Sequence, residues 1–376
     1  MNILVIGGYG NFGKRLVHSL LSHYDHEVIV AGRSQPKLDA FTEACLQSTG
    51  KSVRGISLDV IDSGLGKIFS RLELDLVVNA SGPFQLQTGD GNYRVARACA
   101  ENGVHYVDLA DDRKFVCGFS AALDNLARRN RVSLVTGAST VPGLTSAVLD
   151  HFSSRFAKLE AVDYGISPGN RTERGAATVA SILSYTGHAF DSLIDGCQRP
   201  LYGWQDLRRV DLGKPVGKRW MGNCDIPDLE LIPSQYPDLQ TLRFQAGLEV
   251  TVLHFGLWVL SLFSRIGLVS NWARFAAPLT RMSDWFLSWG SDCGAMFVEM
   301  SGIAASGQDR RICWQLVAEN GTGPNIPTIA AELMIGKIEA GECRYGAMPC
   351  LGLFTLDEFL QVAARWGIYQ KQIDHV

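Results

Sequence analysis

Ile3-Leu4-Val5-Ile6-Gly7-Gly8-Tyr9-Gly10-Asn11-Phe12-Gly13-Lys14-Arg15-Leu16-Val17 is the stretch that decides the fold. Four apolar residues run into a glycine-rich turn, and the turn opens an amphipathic helical pattern over Asn11–Ser22. Gly8, Gly10 and Gly13 stand in Gly-x-Gly-x-x-Gly spacing without a gap. A strand before that spacing and a helix after it are what a dinucleotide pyrophosphate needs. Gly8 is expected to allow the tight turn, Gly10 to let the backbone approach the phosphates, and Gly13 to let helix pack on strand. Tyr9, Asn11 and Phe12 line the turn. The first amides of the helix then face the phosphates, with the helix dipole in support.

Outward from this loop, the first 150 residues alternate short strands with helices. Strands are expected at Asn2–Ile6, Glu27–Ala31, Ser52–Leu58, Leu74–Asn79, His105–Leu109 and Ser133–Thr136. Helical patterns fall at Pro36–Ser48, Gly91–Asn102 and Arg113–Arg129. Strands separated by helices build a parallel sheet with right-handed crossovers. The fold class is therefore α/β, an N-terminal Rossmann domain with a doubly wound parallel sheet.

The second strand runs into Ala31-Gly32-Arg33-Ser34. A carboxylate there would take the ribose hydroxyls of NAD, whereas Arg33 suits the 2′-phosphate of NADP, with Ser34 and Lys37 as further donors. The expected cofactor is NADP(H). Strand ends supply the rest of the groove. Asp59 and Val60 stand near the adenine, with a turn cap as the other role for Asp59. Asn79, Ala80, Ser81, Gly82 and Pro83 stand near the nicotinamide ribose.

The chain has 376 residues, 46% hydrophobic and 19% charged, with a net charge of −3. That length accommodates two domains at about 100–200 residues each. Both signs of charge are scattered, so no nucleic-acid groove is indicated. None of the nine cysteines forms a Cys-x-x-Cys pair, so no metal centre is expected, and free buried thiols in a reducing cytoplasm are.

After Val141-Pro142-Gly143 the rhythm changes. Leu159–Ile166, Ala295–Ala305 and Arg311–Ala318 read as longer strands, the last two joined by a turn at Ser306–Arg310. They predict a second, α+β domain with a mixed or antiparallel sheet over 146–324. The first domain covers 1–145 and is completed by 325–376. Leu201–Gly247 shows no period and reads as loops. Val250–Phe263 is apolar but short of the ~20 residues that span a bilayer, so a buried helix is expected. Trp272, Phe275, Leu279, Met282, Phe286 and Trp289 share one face of a helical pattern. For 250–290, core or homodimer packing is the first expectation, and a peripheral membrane contact the second.

Candidate chemistry lies at the end of the fifth strand. Tyr106 or His105 is a candidate proton donor, and Asp112 a candidate to hold a substrate amine. Alternation sends His105 and Tyr106 to opposite faces. Asp112 also suits the cap of the helix at Arg113. In the second domain, His254 reads as a satisfied core histidine or a pocket residue, and Arg171, Arg174, Thr178 and Ser181 begin a helix that suits a substrate carboxylate. Ser139 lies outside any Gly-x-Ser-x-Gly elbow, so hydrolase chemistry is not indicated.

Several of these blocks resemble the saccharopine dehydrogenase-like (saccharopine reductase-type) NADP oxidoreductases. They are Gly7–Gly13, Asn79–Phe84, Cys99–Leu109 with His105-Tyr106-Val107-Asp108-Leu109, and Gly137–Gly143 with Val141-Pro142-Gly143. Gly336 and Leu356-Asp357-Glu358-Phe359 are similar to the family's C-terminal region. After Asp-Leu the family continues Thr-Gly-Glu, whereas this chain reads Ala110-Asp111-Asp112. The resemblance implies a Rossmann domain, a second mixed-sheet domain and a final segment returning to the first. It implies hydride transfer from NADPH to an imine, with other C=N or C=C bonds open. A non-catalytic NADP-binding sensor or partner protein is the alternative.

Overall fold

The first strand, β1 (Asn2–Ile6), lies inside a seven-stranded sheet with Ile3, Leu4 and Val5 fully buried. A strand covered on both faces is an unbroken apolar run, which is why these residues do not alternate. The computed structural model describes residues 1–61, 64–86 and 92–375. After β1 come α1 (Asn11–His23), β2 (Glu27–Gly32), α2 (Gln35–Thr49), β3 (Arg54–Ser57), α3 (Leu65–Leu72) and β4 (Leu76–Asn79). Then follow α4 (Arg94–Glu101), β5 (His105–Asp108), α5 (Arg113–Arg129) and β6 (Ser133–Thr136). The fourth helix was expected from Gly91, which lies outside the described residues. Helix α3 was not expected; it has eight residues and a glycine at its second position, too short for a clear period.

The chain continues through α6 (Thr145–Ser153), β7 (Lys158–Ser167), α7 (Ala176–Ser184), β8 (Ala189–Ile194), β9 (Cys197–Tyr202), β10 (Arg208–Asp211) and β11 (Lys218–Asn223). Next are α8 (Asp228–Leu231), β12 (Thr241–Ala246), α9 (Thr251–Arg265), α10 (Ala276–Asp284), β13 (Gly294–Ile303) and β14 (Asp309–Ala318). It closes with α11 (Ile326–Glu339), β15 (Gly346–Pro349), α12 (Leu356–Ala364) and β16 (Tyr369–His375).

Two units result. The first holds Met1–Leu144 and Pro324–Phe354. Its sheet runs β15-β6-β5-β4-β1-β2-β3, all parallel. Strand order reverses at β1 and β4, the switch point where ligands bind in such sheets. Helices α1 and α11 pack together and share a buried polar link. Ser19 Oγ donates to Glu332 Oε2 at 2.6 Å, and Tyr24 Oη donates to Glu332 Oε1 at 2.9 Å. The carboxylate is thus paired where an unpaired one would be costly.

The second unit holds Thr145–Gly323 and the chain from Thr355 onward. Its mixed sheet runs β10-β11-β12-β7-β13-β14-β16, with β7 and β12 parallel. A separate hairpin pairs β8 with β9. The expected return of 325–376 to the first unit therefore stops at Phe354. Beyond it, β16 extends the second sheet along β14, a pairing that local sequence does not encode.

Two further expectations are corrected. Leu201–Gly247 is not loop throughout, since β10, β11 and β12 lie within it and β9 runs into it. Strands such as Arg-Arg-Val-Asp in β10 are held by their ladder rather than by an apolar pattern. Helix α9 is not a buried helix: its buried side chains are His254 and Ser261, while Val252, Val259 and Phe263 are exposed. The aromatic stretch after it is not one helix but three short pieces, Trp272–Phe275, α10 and Leu287–Trp289. Phe275, Met282, Trp285 and Trp289 are exposed there.

Candidate functional site

The β1–α1 turn is built around Gly7. It takes a left-handed conformation, φ +75°, which glycine adopts without strain. The tight turn thus falls one residue earlier than the sequence reading placed it. Gly10 N–H donates to Gly7 O at 2.8 Å, and the first helical bond, Lys14 N–H to Gly10 O, is 2.9 Å. No side chain caps α1, and its first turn carries no acid. As at any helix start, the first-turn amides have no intrahelical partner, and the dipole favours an anion there.

The glycines fit a close-packed phosphate cradle. A Cβ on Gly7 would lie 2.9 Å from Ala80 O, one on Gly8 would lie 2.7 Å from Val30 Cγ1, and one on Gly10 would lie 2.9 Å from Gly7 O. A Cβ on Gly13 would collide with Gly7 O. The loop after β1 therefore sits hard against the loop after β4, and bulkier residues would push both apart. Tyr9 turns towards β2: its ring lies against Gly32, and its hydroxyl accepts Ser34 N–H at 3.2 Å. Asn11 accepts Arg15 through Oδ1 at 2.7 Å, and Phe12 is half-buried.

Arg33 and Lys37 are exposed at the end of β2 and the start of α2. Neither makes an ion pair or hydrogen bond among the described residues. Ser34 is the N-cap of α2. Arg33 stands just before that N-cap and Lys37 in the first turn after it. Asp59 is exposed, and its carboxylate accepts Ile61 N–H at 3.1 Å, the turn-capping role; Val60 is half-buried beside it.

At the end of β4, Asn79 is buried. Its Oδ1 accepts Ser81 N–H at 3.1 Å and Ser81 Oγ at 2.5 Å, which sets the course of Ala80–Pro83. Its Nδ2 donates to Tyr106 Oη at 3.3 Å. The Tyr106 ring stacks near Phe119 and is fully buried. Burial, with Asp108 nearby, pushes its hydroxyl well above the ordinary tyrosine range. His105 Nδ1 accepts Ser133 N–H at 3.0 Å, and burial holds its pKa below the usual histidine value. Asp112 caps α5, accepting Phe115 N–H at 2.8 Å. The two candidate proton donors and Asp112, the candidate contact for a substrate amine, thus each have a partner within the fold.

Asp108 belongs to the same strand-end cluster, and the sequence reading assigned it no role of its own. It is fully buried, and its Oδ1 accepts Ala110 N–H at 3.0 Å, Thr136 Oγ1 at 2.9 Å and Gly137 N–H at 2.8 Å. It ties the loops after β5 and β6 together. Burial raises its pKa to about 6, against the pull of those donors. Its place at a strand end was the signal available in the sequence.

In the second unit, Arg171 and Arg174 precede α7 rather than opening it. Arg171 donates to Ser288 O at 3.3 Å, and Arg174 donates to Ser283 Oγ at 2.8 Å. Thr178 and Ser181 lie within α7, Ser181 buried. His254 is fully buried against Trp204, and burial lowers its pKa to about 4. Leu248 N–H donates to its Nδ1 at 3.4 Å. Glu249 was not singled out from sequence, yet it accepts Asn170 N–H, Ser291 N–H and Oγ, and Arg219 at 2.7–3.0 Å. Burial opposes its ionisation, and these partners outweigh it, holding the carboxyl below its usual range. Among the described residues no His, Cys, Asp and Glu group is placed to hold a metal ion. All nine cysteines are free; Cys45, Cys99, Cys224 and Cys350 are buried, and Cys197 is exposed.

Residues 3–150 match the family model described as the saccharopine dehydrogenase NADP binding domain. This N-terminal region is a saccharopine dehydrogenase-type NADP-binding domain. Its cofactor is NADP(H). The chain shares its fold with apo saccharopine dehydrogenase (L-Glu forming) from Saccharomyces cerevisiae, at a TM-score of 0.69 over 100% of both chains and 13% identity. A curated relative, the lipid droplet localized protein of Caenorhabditis elegans, is 28% identical over 148 residues, 38% of this chain. The matched part is 34% of that relative, so the chain spans about a third of its length.

Proposed function

We propose that this chain is an NADP(H)-dependent oxidoreductase that reduces a C=N or C=C bond of a small-molecule substrate. The observation that carries the reading is the close-packed Gly7–Gly13 turn at the switch point, with Arg33 and Lys37 unpaired beside it. NADPH, when bound, supplies the hydride. In this reading Gly8, Gly10, Gly13 and the first amides of α1 hold the pyrophosphate, and Tyr9, Asn11 and Phe12 line it. Arg33, Ser34 and Lys37 take the 2′-phosphate, Asp59 and Val60 flank the adenine, and Asn79–Pro83 support the nicotinamide ribose. Tyr106 Oη and His105 Nδ1 each accept one hydrogen bond from within the domain, and Asp112 caps the start of α5. Tyr106 or His105 is the proposed proton donor, and Asp112 the proposed contact for a substrate amine.

Their engagement favours a second reading, a non-catalytic NADP-binding sensor. NADPH oxidation assayed over imine, enone and keto-acid acceptors separates the two. Turnover with any acceptor supports the reductase. Tight NADPH binding with no turnover across the set removes it and leaves the sensor.

A cytoplasmic location is part of the reading. The segment 250–290 is proposed to make either a homodimer contact or a peripheral membrane contact. Among the described residues no helix is long and apolar enough to cross a membrane. The exposed apolar face of α9 favours the peripheral contact, and the name of the Caenorhabditis elegans relative points the same way.

A further inference from the structure

Helix α9 is amphipathic in the inverted sense. His254 and Ser261, two turns apart on one face, are fully buried. Ser261 Oγ accepts Gln205 Nε2 at 3.2 Å and donates to Trp258 O at 2.6 Å, while Arg265 donates to Gln205 Oε1 at 2.8 Å. The opposite stripe is apolar and exposed: Val252 51%, Val259 41%, Phe263 40% and, just past the helix, Ile266 68%. A helix that meets water on its outer side carries the reverse pattern. The following segment is tied to α9 by Trp272 Nε1 donating to Leu260 O at 3.0 Å. It exposes Trp285 at 76% and Trp289 at 68%.

Charge selects among apolar partners. Between Thr251 and Gly290 the charged side chains are Arg265, Arg274, Arg281 and Asp284, in a chain of net charge −3. Burial keeps His254 neutral. Arg274 and Arg281 are exposed and make no ion pair among the described residues. Arg171 and Arg174 bond to the same segment, with Glu173 between them. In an isologous dimer this face would meet itself, cation excess against cation excess. An anionic phospholipid surface offers the complementary charge, and tryptophan suits the headgroup boundary.

We propose that the exposed face of 251–290 docks on an anionic phospholipid surface, its apolar side chains at the headgroup–acyl boundary and Arg274 and Arg281 on the phosphates. This rests on the peripheral contact proposed above and adds the lipid class. Helix α9, with 15 residues, is about 22 Å long, which suits lying in the interface rather than crossing it.

The test is co-flotation of the full chain with phosphatidylcholine vesicles, with and without about 30% phosphatidylserine. Wild type should float with the anionic vesicles at low salt, and less so on pure phosphatidylcholine or at high salt. Arg274→Glu with Arg281→Glu should weaken partitioning to anionic vesicles about 20-fold or more. Phe263→Ser with Trp285→Ser should end flotation while the thermal shift with NADPH is kept, since both side chains are exposed. Equal flotation on both lipids overturns the anionic assignment alone. Absence of flotation on either overturns the peripheral contact as well. A dimer in wild type that Phe263→Ser with Trp285→Ser converts to monomer, without flotation, assigns the face to a second copy and overturns the proposal.

Discussion

Helices α1 and α9 are of similar length, and they bury opposite kinds of side chain. Helix α1 buries Leu16, Val17, Leu20 and Leu21 and leaves Ser22 and His23 to solvent. Helix α9 buries His254 and Ser261 and leaves Val252, Val259 and Phe263 outside. An apolar stripe reports which face avoids water; it does not report whether protein or another apolar medium covers it. In α1 the covering layer is the chain's own sheet and α11. In α9 nothing in the described chain covers it.

The largest expected break in that comparison comes from the cradle. Gly13→Val places side-chain carbons against Gly7 O, so α1 must move off β1. The variant should lose the NADPH-induced thermal shift and about 3 kcal/mol or more of stability in urea titration. Retained NADPH binding would show that the turn tolerates what its geometry forbids. Next, Leu20→Ala in α1 should cost about 2–5 kcal/mol as a core truncation. Phe263→Ala in α9 should cost less than about 0.5 kcal/mol in the same assay, as at a surface site. Equal costs would mean that α9 is covered in solution.

A smaller effect concerns Asp228, fully buried in the second unit, with a pKa raised by burial to about 7 despite Tyr164 Oη donating at 3.1 Å. Its folded value lies above that of an unfolded aspartate, so the folded chain holds the proton more tightly. Stability then falls as pH rises from about 4 to about 7. Asp228→Asn should flatten that decline and, near pH 8, exceed wild type by on the order of 1–3 kcal/mol. An unchanged pH profile would place the titration elsewhere. The smallest effect is Asp112→Ala, a lost helix cap worth about 1 kcal/mol. Asp112→Ser should restore both stability and any turnover. Restored stability with turnover still absent would give the carboxylate a role in chemistry.

The parts of this molecule written locally were legible in sequence. The run Ile3–Ile6 and the glycine spacing are short-range features, and strand, turn and helix form where that spacing puts them. Gly7 was missed because Gly-x-Gly-x-x-Gly begins one residue later, while the left-handed turn depends on contact with Ala80. Asp108 was visible at its strand end, but its role was not, because a buried acid shows that only through donors from β6 and its loop. Strands β10 and β16 are defined by their partners across the sheet, so neither showed a pattern of its own. Trp285 and Trp289 lie past the end of α10 at Asp284, a break that the one-face spacing concealed.

The central claim is that the first unit binds NADP(H) through the Gly7–Gly13 turn and reads its 2′-phosphate with Arg33. A thermal-shift titration with NADPH and NADH, on wild type and Arg33→Asp, tests it directly. Saturation at about 100 times the dissociation constant adds about 2.7 kcal/mol, a readily measured rise in melting temperature. The account predicts that NADPH stabilises wild type more than NADH, and that Arg33→Asp weakens NADPH about 10- to 100-fold and reverses the order. No shift with either nucleotide would reduce the glycine turn to a structural bend and contradict the account.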